Sequence, residues 1–190
     1  MTKKTPLSPP TALRPCAQAL VYPNGSLVTR VELTYNSTVK ASQRPLIKGS
    51  LSAFEFFLRY WDMSKIDLLE QFVGVYLNAG GRVLAIANIS AGGIGSVTVD
   101  CRHVMAIALE LNAVSIICCH NHPGGHPALG LRPSIADDHL TKKLDGCAGL
   151  LDIKLLDHII LCKEGYFSYA DEGLLSLHGN CPYPKKVTKD

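Results

Sequence analysis

The chain has 190 residues, of which 47% are hydrophobic and 18% are charged. This length allows one domain with a proper core, and the composition excludes intrinsic disorder of the chain as a whole. No apolar run approaches the roughly 18 to 20 residues of a membrane-spanning helix, and prolines interrupt any signal-peptide region near the N-terminus. We therefore expect a soluble, cytoplasmic protein without a membrane partner.

The net charge of +3 is concentrated at the two ends of the chain. Residues 1–29 contribute +3 and residues 178–190 contribute +2, so the body over 30–177 carries −2. Binding to nucleic-acid phosphates requires a concentrated basic surface. The charge distribution therefore argues against direct DNA binding by the body of the protein.

The seven cysteines are scattered, and no two are spaced as Cys-x-x-Cys. The cysteine spacing therefore supports neither a zinc ribbon nor a thioredoxin-type redox motif. Several of the cysteines lie in apolar runs, where a thiol behaves as a small hydrophobe. We expect reduced thiols in a reducing compartment.

The first half of the chain predicts a strand, a helix and a hairpin after an irregular extension. Residues 1–29 are rich in Pro, Thr, Ser and Ala and are predicted to be mostly irregular. Alternation predicts a short strand at Val31–Tyr35, and helical spacing predicts a helix over Ser50–Trp61 with Ser50 or Ser52 as N-cap. Two strands follow, Gln71–Leu77 and Arg82–Ile89, joined by a turn-forming Asn-Ala-Gly-Gly sequence.

The second half alternates helices with strands. The predicted elements are a helix over Asp100–Leu111, a strand at Val114–Cys119, a helix over Ser134–Cys147 and strands at Ile153–Cys162 and Gly165–Tyr169. This order indicates an α/β (α+β) fold, a single domain over 30–177 with a mixed sheet flanked by helices. Residues 1–29 would then be an N-terminal extension and residues 178–190 a basic tail.

The end of the Val114–Cys119 strand continues directly into His120 and His122. Side chains at positions i and i+2 of an extended chain point to the same side, so these two imidazoles can share one metal ion. The alternative is two unrelated loop histidines, because a His-x-His sequence also arises by chance.

Asp137 lies at the start of the second predicted helix of this half. With Ser134 it forms a Ser-x-x-Asp sequence, which is typical of a capping box and explains both residues without a function. A helical wheel adds a second interpretation: the predicted buried face is Ala136, Leu140, Leu144 and Cys147, and Asp137 lies next to it while Asp138 faces solvent beside Lys142. Asp137 would then face the interior without capping the helix, and a semi-buried carboxylate needs a partner.

Several motifs together resemble the RadC-like branch of the JAB/MPN+ (JAMM) zinc metalloprotease superfamily, over roughly residues 45–175. The matching segments are His120–Gly125, Pro133–Asp137, Thr141, Leu155–Ile160, Glu70–Phe72, Leu77–Asn78, Arg102 and Tyr166–Ser168. One departure is the spacing between the second histidine and the aspartate, which is fourteen residues here (123–136) where the family usually has ten. The extra residues fall around Ala128–Leu131, and His126 and His103 stand where the family often has acids.

The resemblance implies a JAB/MPN-like domain with one catalytic Zn²⁺ and a role for each matching residue. His120, His122 and Asp137 would bind the zinc, Glu70 would be the general base, and Ser134 would help stabilise the oxyanion. The implied reaction is hydrolysis of a peptide or isopeptide bond in a peptide or protein substrate by a zinc-bound water. Three N/O ligands plus water is indeed typical of a catalytic zinc site.

Two rival functions belong to other classes. One is a non-enzymatic, DNA-repair-associated or mobile-element accessory protein, and the other is a metal-free MPN scaffold for protein assembly. The complete set of Glu70, His120, His122 and Asp137 argues against the scaffold. Asp157 and His158, inside an apolar strand, are interpreted either as a structural pair or as residues that contact a ligand residue or substrate. The sequence indicates neither the substrate nor the oligomeric state.

Overall fold

The structure is a computed structural model, and it describes residues 16–21, 24–32, 39–92, 98–125 and 131–175. The chain divides into two compact units, residues 1–43 and 44–190. The predicted extents of extension, domain and tail stay predictions, and residues 176–190 lie outside the described residues.

The first unit contains an antiparallel hairpin, formed by strands β1 (Cys16–Val21) and β2 (Leu27–Glu32). The prediction of an irregular extension is therefore wrong for these residues, and the strand predicted at Val31–Tyr35 begins earlier. The reason is a turn signal that outweighs the Pro- and Ser-rich composition. Gly25 adopts a positive φ of 81°, and the side chain of Asn24 accepts a hydrogen bond from the Ser26 N–H at 3.0 Å.

The second unit contains every helix and strand predicted between residues 50 and 169, with ends that differ by no more than two residues. The elements are α1 (Ser50–Tyr60), β3 (Gln71–Leu77), β4 (Val83–Ala91), α2 (Cys101–Glu110), β5 (Ser115–Asn121), α3 (Ile135–Gly149), β6 (Lys154–Cys162) and β7 (Gly165–Ser168). A short 3₁₀ turn precedes them at Ala41–Gln43 in the first unit. Among the described residues, no helix is long and apolar enough to cross a membrane.

The five strands of the second unit form one mixed sheet in the order β4-β3-β5-β6-β7. β5 and β6 are parallel, and the other neighbours are antiparallel. The central strand β5 is buried along its whole length, as expected for an apolar strand with covered faces. The α/β prediction with a mixed sheet is confirmed.

Helices cover both faces of this sheet. One hydrophobic cluster joins the sheet to α2 and α3 and includes Val104 and Leu144, which are fully buried. A second cluster joins the opposite face to α1 through Phe57 and Trp61. The unit therefore has three layers, and the ends of the central strands are where polar side chains can meet.

A register shift interrupts the pairing of β5 with β6. Ile116 pairs with Leu155, but the next residue, Ile117, pairs with Asp157. The extra residue, Leu156, forms a bulge and packs in the α1-side cluster, while Leu155 packs in the cluster on the α2 and α3 side. Beyond the bulge, His158 pairs with Cys118 and lies on the α2 and α3 side.

The N-cap of α1 is Gly49, which differs from the predicted Ser50 or Ser52. Ser52 nevertheless closes this helix end, because its hydroxyl accepts hydrogen bonds from the backbone N–H groups of Lys48 and Gly49 at 2.8 and 3.1 Å. The serine therefore acts from the third helical position, as in a capping box.

Candidate metal centre

His120 and His122 stand at the C-terminal end of β5 with their rings on the same side. His120 is buried, and the side chain of His122 keeps 26% of its exposure. Their Nε2 atoms lie 3.0 Å apart. The two imidazoles thus converge as the i, i+2 spacing of a strand predicts.

A tight turn fixes the chain after His122. The Gly125 N–H donates to the His122 carbonyl at 3.0 Å, and Gly124 has a φ of +72°. Pro123 followed by a glycine with positive φ is typical of a type II turn. A side chain at Gly124 would be strained in this conformation, so the glycine allows β5 to end directly beside the site.

Asp137 reaches the two histidines from the first turn of α3. Its Oδ1 lies 3.2 Å from His120 Nε2, and its Oδ2 lies 3.4 Å from His122 Nε2. The same Oδ2 accepts hydrogen bonds from the Ser134 N–H and hydroxyl, each at 2.7 Å, and Ser134 Oγ accepts from the Asp137 N–H at 3.2 Å. Asp137 therefore closes a capping box and faces the histidines at once, so the expectation that it caps nothing is wrong.

The buried face of α3 is displaced by one residue from the predicted face. The buried residues are Asp137, Thr141, Leu144 and Ala148, whereas Ala136 is exposed. The helical wheel favoured apolar residues, but the polar residues Asp137 and Thr141 have partners in the interior. Asp138 also differs from its prediction, because it accepts a hydrogen bond from the Tyr169 hydroxyl at 2.8 Å.

The three side chains fit a tetrahedral metal ion. His120 Nε2 and His122 Nε2 lie 3.0 Å apart, and they lie 3.2 Å from Asp137 Oδ1 and 3.4 Å from Asp137 Oδ2, respectively. Zinc ligands at ~2.0–2.1 Å from the ion require about 3.3 Å between neighbouring donors in a tetrahedron. Among the described residues, these three are the group of His, Cys, Asp and Glu side chains that could hold a metal ion together.

The surroundings of the Asp137 carboxylate favour its ionised form. Burial would raise its pKa, but the neighbouring rings of His120 and His122 and the hydrogen bonds from Ser134 lower it well below the usual range. Two neutral imidazoles and one carboxylate are the donor set of many catalytic zinc sites. Charge and chemistry therefore agree with the geometry.

Glu70 and Ser134, the predicted catalytic residues, lie immediately before β3 and immediately before α3. Glu70 immediately precedes β3 and is half-buried. Phe72 pairs with His120 in the antiparallel β3–β5 register, and continuing that register by two residues brings Glu70 to the level of His122. Ser134 is the exposed N-cap of α3, and its hydroxyl hydrogen is directed to Asp137 Oδ2.

Asn121, between the two histidines, holds the segment that carries Glu70. Its Oδ1 accepts from the Gln71 N–H at 2.8 Å, and its Nδ2 donates to the carbonyls of Ile66 and Leu69 at 2.6 and 2.8 Å. The amide therefore binds the backbone on both sides of Glu70. This role of Asn121 was not predicted from the sequence, although a polar residue in a fully buried strand signals that hydrogen-bond partners are required.

Asp157 and His158 have separate environments. The Asp157 carboxylate accepts hydrogen bonds from the Ser168 hydroxyl at 2.7 Å and from the Ala170 N–H at 3.0 Å. His158 instead contacts one of the three candidate metal ligands, because its Nε2 lies 2.8 Å from His120 Nδ1. The interpretation as a structural pair fits Asp157, and the interpretation as a contact to a ligand residue fits His158.

The departures from the family pattern do not prevent the three candidate ligands from converging. His126 and the added residues 128–130 lie outside the described residues. His103 is exposed on α2. The three donor atoms converge despite the longer spacing before Asp137.

The sequence matches known proteins over the region that forms this unit. The RadC-like JAB domain family matches residues 47–174. A UPF0758 protein of Flavobacterium johnsoniae is 42% identical over 105 residues, covering 55% of this chain and 44% of the relative. Relatives of the same name from Porphyromonas gingivalis (40% over 107 residues; 56% and 45%) and Burkholderia thailandensis (35% over 148 residues; 77% and 54%) are also similar. The chain spans about half the length of these curated relatives.

Proposed function

Because the chain belongs to the RadC-like JAB domain family, we propose that it is a zinc-dependent hydrolase that cleaves peptide or isopeptide bonds. The observation that carries the proposal is the convergence of the His120, His122 and Asp137 side chains, which contact one another at 3.0 to 3.4 Å. Three protein ligands leave a fourth tetrahedral position for water or substrate, which distinguishes a catalytic site from a structural one.

His120, His122 and Asp137 would hold the zinc ion. When bound, such an ion lowers the pKa of a coordinated water to about 7 and polarises a substrate carbonyl. The partial exposure of His122, at 26%, leaves that side of the centre open to a substrate, whereas the His120 side is closed by protein.

Glu70 would act as the general base. Its position before β3, at the level of His122, supports a role beside the centre but outside the ligand set. A carboxylate there can accept the proton of the attacking water and pass it to the leaving amine.

Ser134 would donate a hydrogen bond to the developing oxyanion. Its hydroxyl hydrogen is directed to Asp137 Oδ2 at 2.7 Å, so this role requires the hydroxyl to rotate when substrate binds. The backbone N–H of Ser134 also donates to that oxygen and would keep the carboxylate in place during the rotation.

The proposal is tested by measuring zinc content and peptide hydrolysis together. The purified chain should contain about one zinc ion and should cleave members of a peptide or isopeptide library. Glu70→Gln should retain the zinc and the fold but lower turnover by roughly 10² or more, the usual scale for a general base. Asp137→Ala should lose the zinc. Glu55→Gln, at an exposed position of α1, is the matched control and should change neither.

Each outcome separates the roles. Loss of zinc from Glu70→Gln would make Glu70 a ligand, and full activity would show that it is not the base. A chain that binds no zinc at all would favour a non-enzymatic protein instead.

A further inference from the structure

A hydrogen-bond network of the buried residues Thr141, His158 and His120 connects α3 to the candidate metal centre. The Thr141 Oγ1 lies 2.6 Å from the backbone carbonyl oxygen of Asp137 and 2.6 Å from His158 Nδ1. On the far side of the same ring, His158 Nε2 lies 2.8 Å from His120 Nδ1. All three side chains are almost fully buried, at 2% for Thr141, 0% for His158 and 1% for His120.

The direction of every hydrogen bond in this network follows from the backbone carbonyl of Asp137. The Asp137 carbonyl can only accept, so the single hydroxyl hydrogen of Thr141 must point to it. If that hydrogen pointed to His158 instead, two lone-pair oxygens would face each other at 2.6 Å without a hydrogen between them. Thr141 Oγ1 therefore accepts from His158 Nδ1–H, and His158 Nε2 is left as an acceptor.

The same logic fixes His120. Because His158 Nε2 accepts, His120 Nδ1 must carry the hydrogen that it receives. When His120 is neutral, its Nε2 lone pair therefore faces His122 and the Asp137 carboxylate, and a metal ion bound between these electron-pair donors would satisfy all of them. The network thus starts at the backbone of one proposed ligand, Asp137, and ends at the ring of another, His120.

Aromatic neighbours prevent the two rings from turning away. Phe72 lies parallel to His120, with 14° between the planes, and Tyr169 stacks on His158 at 5.2 Å and 7°. The ring of His158 also packs edge-on against Phe72 at 5.5 Å. Burial of a polar ring is costly unless the ring is hydrogen-bonded, so an apolar side chain would fill the space of His158 at lower cost. The hydrogen bonds of His158 therefore explain why an imidazole stands at this position.

We propose that Thr141 and His158 are positioning residues that select the Nδ1–H form of His120 and so present its Nε2 lone pair to a metal ion. This inference rests on the metal centre of the proposed function. A hydrogen bond to the non-coordinating nitrogen fixes both the tautomer and the orientation of a histidine ligand, and its removal usually lowers metal affinity by 10 to 100-fold.

The first test measures the affinity of the full-length chain for Zn²⁺ and Co²⁺ by competition with a chelator. His158→Leu should lower the affinity about 10 to 100-fold, and His158→Gln should recover most of it, because a Gln oxygen can accept from His120 Nδ1–H. Thr141→Val, which keeps the shape of the side chain, should lower the affinity about tenfold, while Thr141→Ser should retain it. Tyr60→Phe, at an exposed position at the end of α1, is the control, and its affinity should not change.

A second measurement gives a readout that is independent of metal affinity. The ¹⁵N NMR spectrum of the histidine rings distinguishes Nδ1–H from Nε2–H, and His158 should be in the Nδ1–H form with and without zinc. Thr141→Val should shift it away from that form. A merely structural role would leave this signature unchanged.

The outcomes separate this inference from the proposed function. Tight metal binding by the unaltered chain together with unchanged affinity in Thr141→Val and His158→Leu would overturn the inference and leave the metal centre standing. An Nε2–H form of His158 in the unaltered chain would also overturn it. A chain that binds neither Zn²⁺ nor Co²⁺ would overturn both.

Discussion

Neighbouring residues in β6 show how strongly the environment of a side chain decides its chemistry. Asp157 is fully buried on the side of α1, among Ser168 and the Ala170 backbone, and it is not part of the metal centre. Burial raises the pKa of Asp157 to about 6, although the hydrogen bonds from Ser168 and Ala170 oppose the increase. The carboxyl group therefore prefers to be protonated at a pH where an exposed aspartate is ionised.

This pKa predicts a pH-dependent difference between the unaltered chain and Asp157→Asn. The folded state binds more protons than the unfolded state between about pH 4 and pH 6, so the stability contributed by protonated Asp157 is present below pH 4 and is lost as the pH rises through 6. A shift of about two units corresponds to about 3 kcal/mol. The free energy of unfolding of Asp157→Asn, relative to the unaltered chain, should therefore increase by up to about 3 kcal/mol from pH 4 to pH 7.

Chemical unfolding at a series of pH values measures this difference. Asp152→Asn is a suitable control, because Asp152 is exposed and its positive φ of 55° is a conformation that asparagine also adopts. The control should show a nearly constant difference. A constant difference for Asp157→Asn as well would show that Asp157 is ionised in the folded protein.

At the scale of elements, the sequence predicts where strands and helices lie better than it predicts their contacts. Alternation and helical spacing place β3 with its observed bounds and α3 within two residues. The centre of the site is also predictable, because two histidines at i and i+2 of a strand must converge. The buried face of α3 was not predicted, since the polar residues Asp137 and Thr141 are buried through partners that are distant in sequence. The partners of Asn121 and His158 could not be predicted for the same reason, because they depend on strand register.

Asn121 illustrates such a contact between elements, and it leads to a prediction. Asn121→Ala would leave the Gln71 N–H and the carbonyls of Ile66 and Leu69 without their partner. Unpaired buried groups cost about 1–3 kcal/mol each, so we expect a loss of about 2–4 kcal/mol in the free energy of unfolding after partial access of water. Because Glu70 lies between two of these groups, the turnover of folded, zinc-loaded protein should also decrease.

Asn78→Ala provides the matched comparison. Asn78 also holds a loop, since its Oδ1 accepts from the N–H groups of Gly80 and Arg82 at 3.0 Å, but it lies at the opposite end of β3. It should lower stability without lowering the turnover of the folded fraction. Equal effects of the two variants on turnover would show that Asn121 has no specific influence on Glu70.

At the scale of the whole molecule, charge separates the ends of the chain from its body. The six cations near the ends are Lys3, Lys4, Arg14, Lys185, Lys186 and Lys189. We expect weak, salt-sensitive DNA binding by the full chain to depend on these residues, because each phosphate contact that is lost removes a counterion-release contribution. Their replacement by glutamine should abolish that binding, as measured by fluorescence anisotropy at low salt.

The control for this prediction uses cations of the body. Arg102, Lys142 and Lys143 are exposed on α2 and α3, and their replacement by glutamine should have little effect on binding. Tight binding at ~150 mM salt after the six terminal replacements would contradict the prediction and favour a role in DNA repair.

The bulge at Leu156 divides β6 into two segments of opposite phase. Strict alternation from Leu155 would direct Asp157 toward α3 and His158 toward α1, whereas the extra residue reverses both directions. Leu155 and Leu156 of the first segment therefore pack in the hydrophobic clusters on the two faces of the sheet. In the second segment, the imidazole of His158 contacts His120. A slip of one residue in the second segment would place a carboxylate where the imidazole now accepts a hydrogen from His120. The bulge thus decouples packing from chemistry. The side-chain directions of the first segment can suit the core while those of the second segment suit the contact with His120, and neither set constrains the other.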